Sequence, residues 1–167
     1  ADVVRDVLPV LPEHIRLIEP QDPTNTYDLV EISDMGVVYT TTVGLEMAMT
    51  GIPVIVSGKT HYRNRGFTHD PATWVEYYKI LGKMLEKPEE YRLTPELVDT
   101  AWQYAYRFFF DFARPYPWHL VRVWDDFKQR PFSQVFSQHG KAEFQETFNF
   151  ILGRPINWAK IFKPDVN

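Results

Sequence analysis

The chain lacks cysteine in all of its 167 residues. This absence excludes disulfides and thiolate metal ligands. Positive charge is also scarce, because 18 Lys and Arg stand against 22 Asp and Glu, giving a net charge of -4. That balance argues against a dedicated nucleic-acid binder, which needs a basic face. No signal peptide and no apolar run of membrane-spanning length are found in the sequence, so we expect a cytoplasmic protein.

Familiar chemical motifs are missing too. The sequence has no Walker loop, no complete Gly-x-Gly-x-x-Gly pattern and no Ser-His-Asp arrangement. The chain begins at Ala1 without an initiator methionine, and we expect it to be a trimmed domain of a longer protein.

Aromatic residues are abundant, at 16% of the chain, and they concentrate in its second half. The first half is aliphatic and β-branched instead. This shift predicts two regions that share one core: residues 1–88 as a Rossmann-like, nucleotide-sugar-binding region, and residues 89–167 as a mainly helical C-terminal region that packs on it. The overall prediction is an α/β fold with a Rossmann-like parallel sheet followed by helices.

A compact crossover pattern occupies the middle of the first half. The apolar run 36–39 is typical of a strand, a helical segment starts near Val43, and a β-branched run follows Gly51. Parallel strands need such crossover helices. We expect a further strand at 15–18 and a helix from Thr26 to Ser33, with Thr26 as its N-cap.

The remaining helices are predicted from their start and stop signals. Asp70 and Pro71 are typical of an N-cap followed by the first helical position. The segment after Thr94 is apolar nearly all round, which indicates burial, and its aromatic side chains are expected in the core: Trp102, Tyr106, Phe109 and Phe110. A lipid-facing or partner-facing patch is the alternative. The predicted helices are 1–11, 70–86, 94–112, 118–128 and 142–152.

Three consecutive hydroxyl residues, Thr40 to Thr42, precede the helix that starts near Val43. With the backbone amides of Val43 and Gly44, they form a pattern suited to a phosphate at a helix N-terminus. One threonine acting only as an N-cap is the alternative. Glu46 in the first turn either balances the helix dipole or contacts a ribose hydroxyl.

The loop after the next strand is basic and aromatic. It carries Lys59, His61, Arg63, Arg65 and His69. Arginines suit bidentate contacts with phosphate or carboxylate, and ligands of open α/β sheets bind where strands end. A solvated surface loop is the alternative. The two histidines lack a third ligand at a suitable spacing, so no metal site is expected.

Four runs together resemble the C-terminal half of capsular polysaccharide biosynthesis proteins, GT-B-type glycosyltransferases related to Kdo transferases. The runs are residues 24–29, 38–46, 51–56 and 61–68, and the helical stretch 101–110 is also similar. The resemblance implies that the chain is the donor-binding half of a two-domain enzyme. It implies donor phosphate at Thr41, Thr42, Val43 and Gly44, ribose or the cleft near Glu46, and the donor sugar at Tyr62, Arg63 and Arg65.

The resemblance also implies the partners. A nucleotide sugar, with a CMP-linked donor as one candidate, would be the substrate, without a further cofactor or metal ion. The acceptor would be a saccharide or glycolipid, in the cytoplasm at the inner membrane or in an assembly complex. The upstream His-Pro element of such enzymes is not found, and the N-terminal domain with the catalytic acid or base is expected to be missing. The alternatives are a sugar-nucleotide epimerase and a non-catalytic scaffold or export module.

Overall fold

The structure, a computed structural model, describes residues 2–119 and 121–155. About half of the chain is helical, and a small parallel sheet makes the fold mixed α/β. The chain divides into two compact units, Ala1–Trp102 and Gln103–Asn167. Within the described ranges, no helix has the length and apolarity needed to cross a membrane.

The first unit contains both strands of the sheet. In chain order it has α1 (Asp2–Val7), α2 (Thr26–Glu31), β1 (Gly36–Val38), α3 (Val43–Met49), β2 (Val54–Val56), α4 (Trp74–Glu86) and a 3-10 turn (Pro88–Tyr91). Helix α5 (Pro95–Tyr106) follows, and five residues of π-helix continue it (Arg107–Asp111). The second unit continues with α6 (Val123–Gln129), α7 (Phe132–Val135) and α8 (Gln138–Ile151).

The predicted crossover unit is confirmed. Strands β1 and β2 pair in parallel with Val37 opposite Ile55, and α3 connects them. All three residues of β2 are buried, as a strand covered on both faces should be. Gly51 makes the turn into β2 at a φ of 85°, a conformation that favours glycine. A short stretch at His69 extends the sheet, because its amide and carbonyl bond to Val54 and Val56.

The predicted strand at 15–18 is wrong. This segment has no regular secondary structure and pairs with no described strand, and the Ile15 amide donates to the Pro12 carbonyl instead. An apolar run becomes a strand only when a neighbour accepts its backbone hydrogen bonds. Two predicted helices are also longer than the observed ones, since α1 ends at Val7 and α6 begins at Val123.

The N-caps of α2 and α4 differ from the predicted ones. Asn25, not Thr26, caps α2, and its side chain accepts from the Tyr27 amide at 2.9 Å. Helix α4 begins at Trp74 with Thr73 as its N-cap, rather than at Asp70. Asp70 is used elsewhere, because its carboxylate accepts from the Asn64 amide at 3.0 Å and from the Thr68 hydroxyl.

The predicted burial of the aromatic helix is wrong. Trp102, Tyr106, Phe109 and Phe110 expose between 49% and 71% of their surface. The buried stripe of α5 consists of small residues, Ala101 and Ala105, and Leu97 on the same face is only partly covered. One side of the helix is therefore covered, whereas an apolar sequence on every side had suggested full enclosure.

The second unit has a core of its own. Trp118, Val135 and Phe144 are buried together, and Val123, Phe127 and Phe148 pack against them. The Trp118 indole stacks on Phe127 at 4.7 Å between ring centres and donates to the Arg130 carbonyl at 3.0 Å. A buried tryptophan with its N–H satisfied is a stable centre for a small helical core.

Candidate functional site

Both strands of the sheet end at the same edge, and the loops that follow them form the candidate site. The loop after β1 carries Thr40 to Thr42, and the loop after β2 runs from Ser57 to Asp70. The Ser57 amide and hydroxyl donate to the Val38 carbonyl at 2.8 Å and 2.9 Å, which joins the two strand ends directly. Parallel pairing thus brings together the hydroxyl-rich and basic segments that the sequence had singled out.

The threonines organise the start of α3. Thr41 accepts the Val43 amide through its hydroxyl at 3.2 Å, and the Thr42 hydroxyl donates to Glu46 at 3.2 Å. The Thr42 carbonyl accepts the amides of Leu45 and Glu46. Thr42, at the N-cap position of α3, makes no side-chain capping bond. The Thr41 hydroxyl satisfies the Val43 amide instead, so the helix start is satisfied in part from within the chain. Phosphate binding by these groups stays a prediction.

Tyr62 links the two loops from inside the fold. Its side chain is 0% exposed, and its hydroxyl donates to the Thr41 carbonyl at 2.6 Å. Burial raises the pKa of this phenol. The full burial leaves no ring face for the donor sugar that the resemblance placed there, so Tyr62 acts as an internal support of the site.

Gly44 leaves the space that Tyr62 fills. A β-carbon at this position would lie 2.8 Å from Val38 Cγ2 and 3.2 Å from Tyr62 Cζ, and closer still to the Tyr62 hydroxyl oxygen. Gly44 is itself buried. The missing side chain is therefore explained by packing against Tyr62, whereas the resemblance had implied donor phosphate at Gly44.

Arg63 holds the loop together. Its guanidinium donates to the carbonyls of Val56 at 2.6 Å and Gly58 at 2.8 Å, and also to that of Pro71. Five N–H donors in a planar fork suit such a set of carbonyls. Contact of Arg63 with a donor sugar stays a prediction, but the observed bonds give this residue a structural role that sequence reasoning missed.

Arg65 differs from Arg63 in its setting. Its side chain is exposed, and it lies close enough to His61 for its charge to act on that ring. Burial is the main cause that lowers the pKa of His61, and the positive charge of Arg65 adds to it. Of the two arginines in the predicted site, Arg65 is therefore the one that is exposed at the carboxyl edge of the sheet.

Glu46 interacts with the loop after β1 and with the start of α2. Besides its bond with the Thr42 hydroxyl, the Glu46 carboxylate lies close enough to the Tyr27 phenol for hydrogen bonding and charge to raise the pKa of Tyr27. The start of α2 thus joins the site, although sequence reasoning had not assigned Tyr27 to it. The signal was present, because Tyr27 lies in the run 24–29 that carried part of the family resemblance.

No group of three or more His, Asp or Glu that could hold a metal ion is found in the part of the chain that the structure describes. His61 and His69 are not brought into such a group. His69 is half-buried instead, beside Ile55 in the sheet and with its ring 5.6 Å from that of Tyr91. Its burial lowers the pKa of His69, partly opposed by the charge of Asp70.

Comparison with models of known protein families, with curated protein sequences and with solved structures found no match for this chain.

Proposed function

We propose that this chain is the nucleotide-sugar-binding part of a glycosyltransferase that acts in capsular or other surface polysaccharide synthesis. One observation carries the proposal: a hydroxyl-rich helix start and a basic loop lie at the carboxyl edge of a parallel β–α–β unit and are joined by the bond from Tyr62 to Thr41. Ligands of open α/β sheets bind at this edge.

The proposed fold is one Rossmann-like half of a GT-B enzyme. The donor phosphates would lie at Thr42 and Val43, where the first turn of α3 begins. Arg65 would approach them from the loop after β2, and Glu46 would accept from a ribose hydroxyl. Tyr62 and Gly44 would support this surface from below rather than contact the donor.

The chemistry follows from the charge that develops during glycosyl transfer. Negative charge grows on the leaving nucleotide, and backbone amides, hydroxyls and a guanidinium that are already in place stabilise it. The acceptor, a saccharide or glycolipid hydroxyl, must be held in line with the sugar carbon, which a second domain closing over the first can achieve. We place the protein in the cytoplasm, at the inner membrane, with a CMP-linked donor as one candidate.

Calorimetry with CMP, UDP and GDP tests the proposal. We expect one nucleotide to bind this chain, and Arg65→Ala to weaken it about tenfold, because a charge-assisted hydrogen bond is lost. Lys79→Ala is the matched control, since it also removes one exposed positive charge, but from α4. Equal affinity of the Arg65 and Lys79 variants would contradict the site assignment, and no binding by any nucleotide would contradict the function.

A non-catalytic module of polysaccharide assembly is the second candidate function. The observation that favours it is the internal use of Tyr62 and Arg63, whose polar groups bond to the protein's own carbonyls. A fold can persist after its site is lost. Absence of nucleotide binding together with stable self-association in analytical ultracentrifugation would support this alternative.

A further inference from the structure

A cavity in the first unit lies beside the candidate nucleotide site. It has a volume of about 240 Å³ and sits between the end of β2 and the start of α4. Its lining residues are Ser57, Pro71, Ala72, Thr73, Trp74 and Tyr77. This volume is below the roughly 300–1,000 Å³ of sites for drug-sized ligands, so it suits a single ring better than a complete nucleotide sugar.

An exposed aromatic surface borders this cavity. Trp74 is 71% exposed although it is the first residue of a long helix. Tyr78 stacks against its indole with ring centres 6.0 Å apart, and Tyr77 contacts it edge-on at 5.6 Å. Neighbouring rings thus hold the indole in place while much of its surface stays open to a ligand.

The polar groups of the cavity suit a neutral, hydroxylated ligand. The Ser57 hydroxyl donates its hydrogen to the Val38 carbonyl, so its free lone pair is left to accept. The Thr73 hydroxyl oxygen accepts from the Glu76 amide at 3.2 Å, so its hydrogen is left to donate. None of the residues that line the cavity carries a charged side chain.

The same helix start disfavours an anion. Glu76 reaches back and accepts from the Ala72 amide at 2.8 Å, and its own amide bonds to Thr73. This reciprocal capping places a carboxylate where a phosphate would otherwise bind the free amides of α4. A phosphate group would meet negative charge there, whereas a neutral sugar would not.

The floor of the cavity is fixed before any ligand binds. Arg63 donates to the Pro71 carbonyl and to the carbonyls at the end of β2. Pro71 has a restricted backbone of its own. A preformed site loses little conformational entropy on binding, which favours recognition of a small ligand with few contacts.

We propose that this cavity binds one neutral pyranose ring of a saccharide. The apolar C–H face of the ring would stack on the Trp74 indole, and its hydroxyls would bond to Ser57 and Thr73. In the proposed glycosyltransferase, this ring would belong to the acceptor saccharide. That role rests on the proposed function, whereas the binding of the ring to the cavity does not. The aromatic cluster lies outside the nucleotide site described above, and the cavity shares Ser57 with the loop that forms that site.

The test is a titration with methyl glycosides of glucose, galactose and N-acetylglucosamine, followed by saturation-transfer NMR and calorimetry. We expect at least one glycoside to bind, and Trp74→Ala to weaken it about threefold to tenfold because an aromatic contact is lost. Trp74→Phe keeps a ring and should lose less. Trp124→Ala is the matched control, since this tryptophan is 77% exposed but lies in the second unit.

Three results would overturn the proposal: no saturable binding of any glycoside, equal loss in the Trp74→Ala and Trp124→Ala variants, or displacement of the glycoside by inorganic phosphate. The two proposals fail separately. Nucleotide binding without glycoside binding removes the saccharide cavity alone. Glycoside binding that depends on Trp74, in a chain that binds no nucleotide, keeps the cavity and removes the proposed transferase function.

Discussion

Replacing Gly44 by alanine tests the packing beneath the candidate site. The added methyl group would meet Val38 Cγ2 at 2.8 Å and crowd the hydroxyl of Tyr62, which is fully buried and bonded to Thr41. Overpacking of a core costs about 1–3 kcal/mol, and loss of the hydrogen bond adds about 1 kcal/mol. The better helix propensity of alanine returns about 1 kcal/mol. We expect a net destabilisation of about 2 kcal/mol.

Urea denaturation, followed by circular dichroism, measures this change as a lower unfolding midpoint. Gly82→Ala is the matched control, because a β-carbon at Gly82 in α4 meets no atom within 4 Å. That variant should be stabilised by about 0.5–1 kcal/mol through helix propensity alone. The two substitutions are chemically identical and are expected to move the midpoint in opposite directions.

A double-mutant cycle identifies Tyr62 as the cause. Tyr62→Phe removes the crowded hydroxyl and should cost about 1 kcal/mol alone. Combined with Gly44→Ala, it should destabilise less than the sum of the single variants, because the closest clash is gone. A Gly44→Ala protein as stable as the Gly82→Ala protein, or strict additivity in the cycle, would refute the reasoning.

Two further predictions concern pH and the second unit. Burial keeps the pKa of His69 below its ordinary value of 6.5. As the pH falls, the unfolded chain therefore binds this proton before the folded protein does. The neutral His69 ring thus stabilises the fold fully above pH 6.5, and this contribution is lost as the pH drops below that value. Urea midpoints between about pH 7.5 and pH 5 should fall on acidification, and His69→Gln should flatten the curve; an unchanged slope would contradict this. Gly140→Ala would place a β-carbon 2.5 Å from the Gln134 carbonyl oxygen and 2.7 Å from Val135 C. Because backbone cannot easily yield, we expect a loss of about 3 kcal/mol, seen as faster hydrogen exchange in α8, and unchanged exchange there would contradict it.

The parts of the fold that sequence predicted correctly are those with strong local signals. The β-branched run after Gly51 became β2, and the Thr94–Pro95 start became that of α5. The wrong predictions concern residues whose outcome depended on contacts that the residue type alone does not reveal. Asp70 has the residue type of an N-cap, but its carboxylate accepts a hydrogen bond from the Asn64 amide in its own loop. The run 15–18 had the composition of a strand but found no described neighbour to pair with.

In the candidate site, too, sequence predicted the features that have local signals and missed those that depend on other contacts. The order of motifs located the strand ends and their loops, because parallel strands follow from local pattern. It did not reveal that Tyr62 lies under the surface, since its bond to Thr41 spans 21 residues of sequence. Nor did it separate Arg63 from Arg65, two identical residue types two positions apart. Only folding shows that one guanidinium holds carbonyls and the other stands exposed.

The loop between Ser57 and Asp70 keeps its shape through bonds from its side chains to main-chain groups. Arg63 and Asp70 bind backbone groups, whereas Lys59 and Arg65 are exposed at the rim. The frame and the variable surface are therefore built from different side chains. Lys59 and Arg65 can therefore be substituted while Arg63 and Asp70 keep the loop in its conformation. This separation makes the loop a favourable place to change ligand preference.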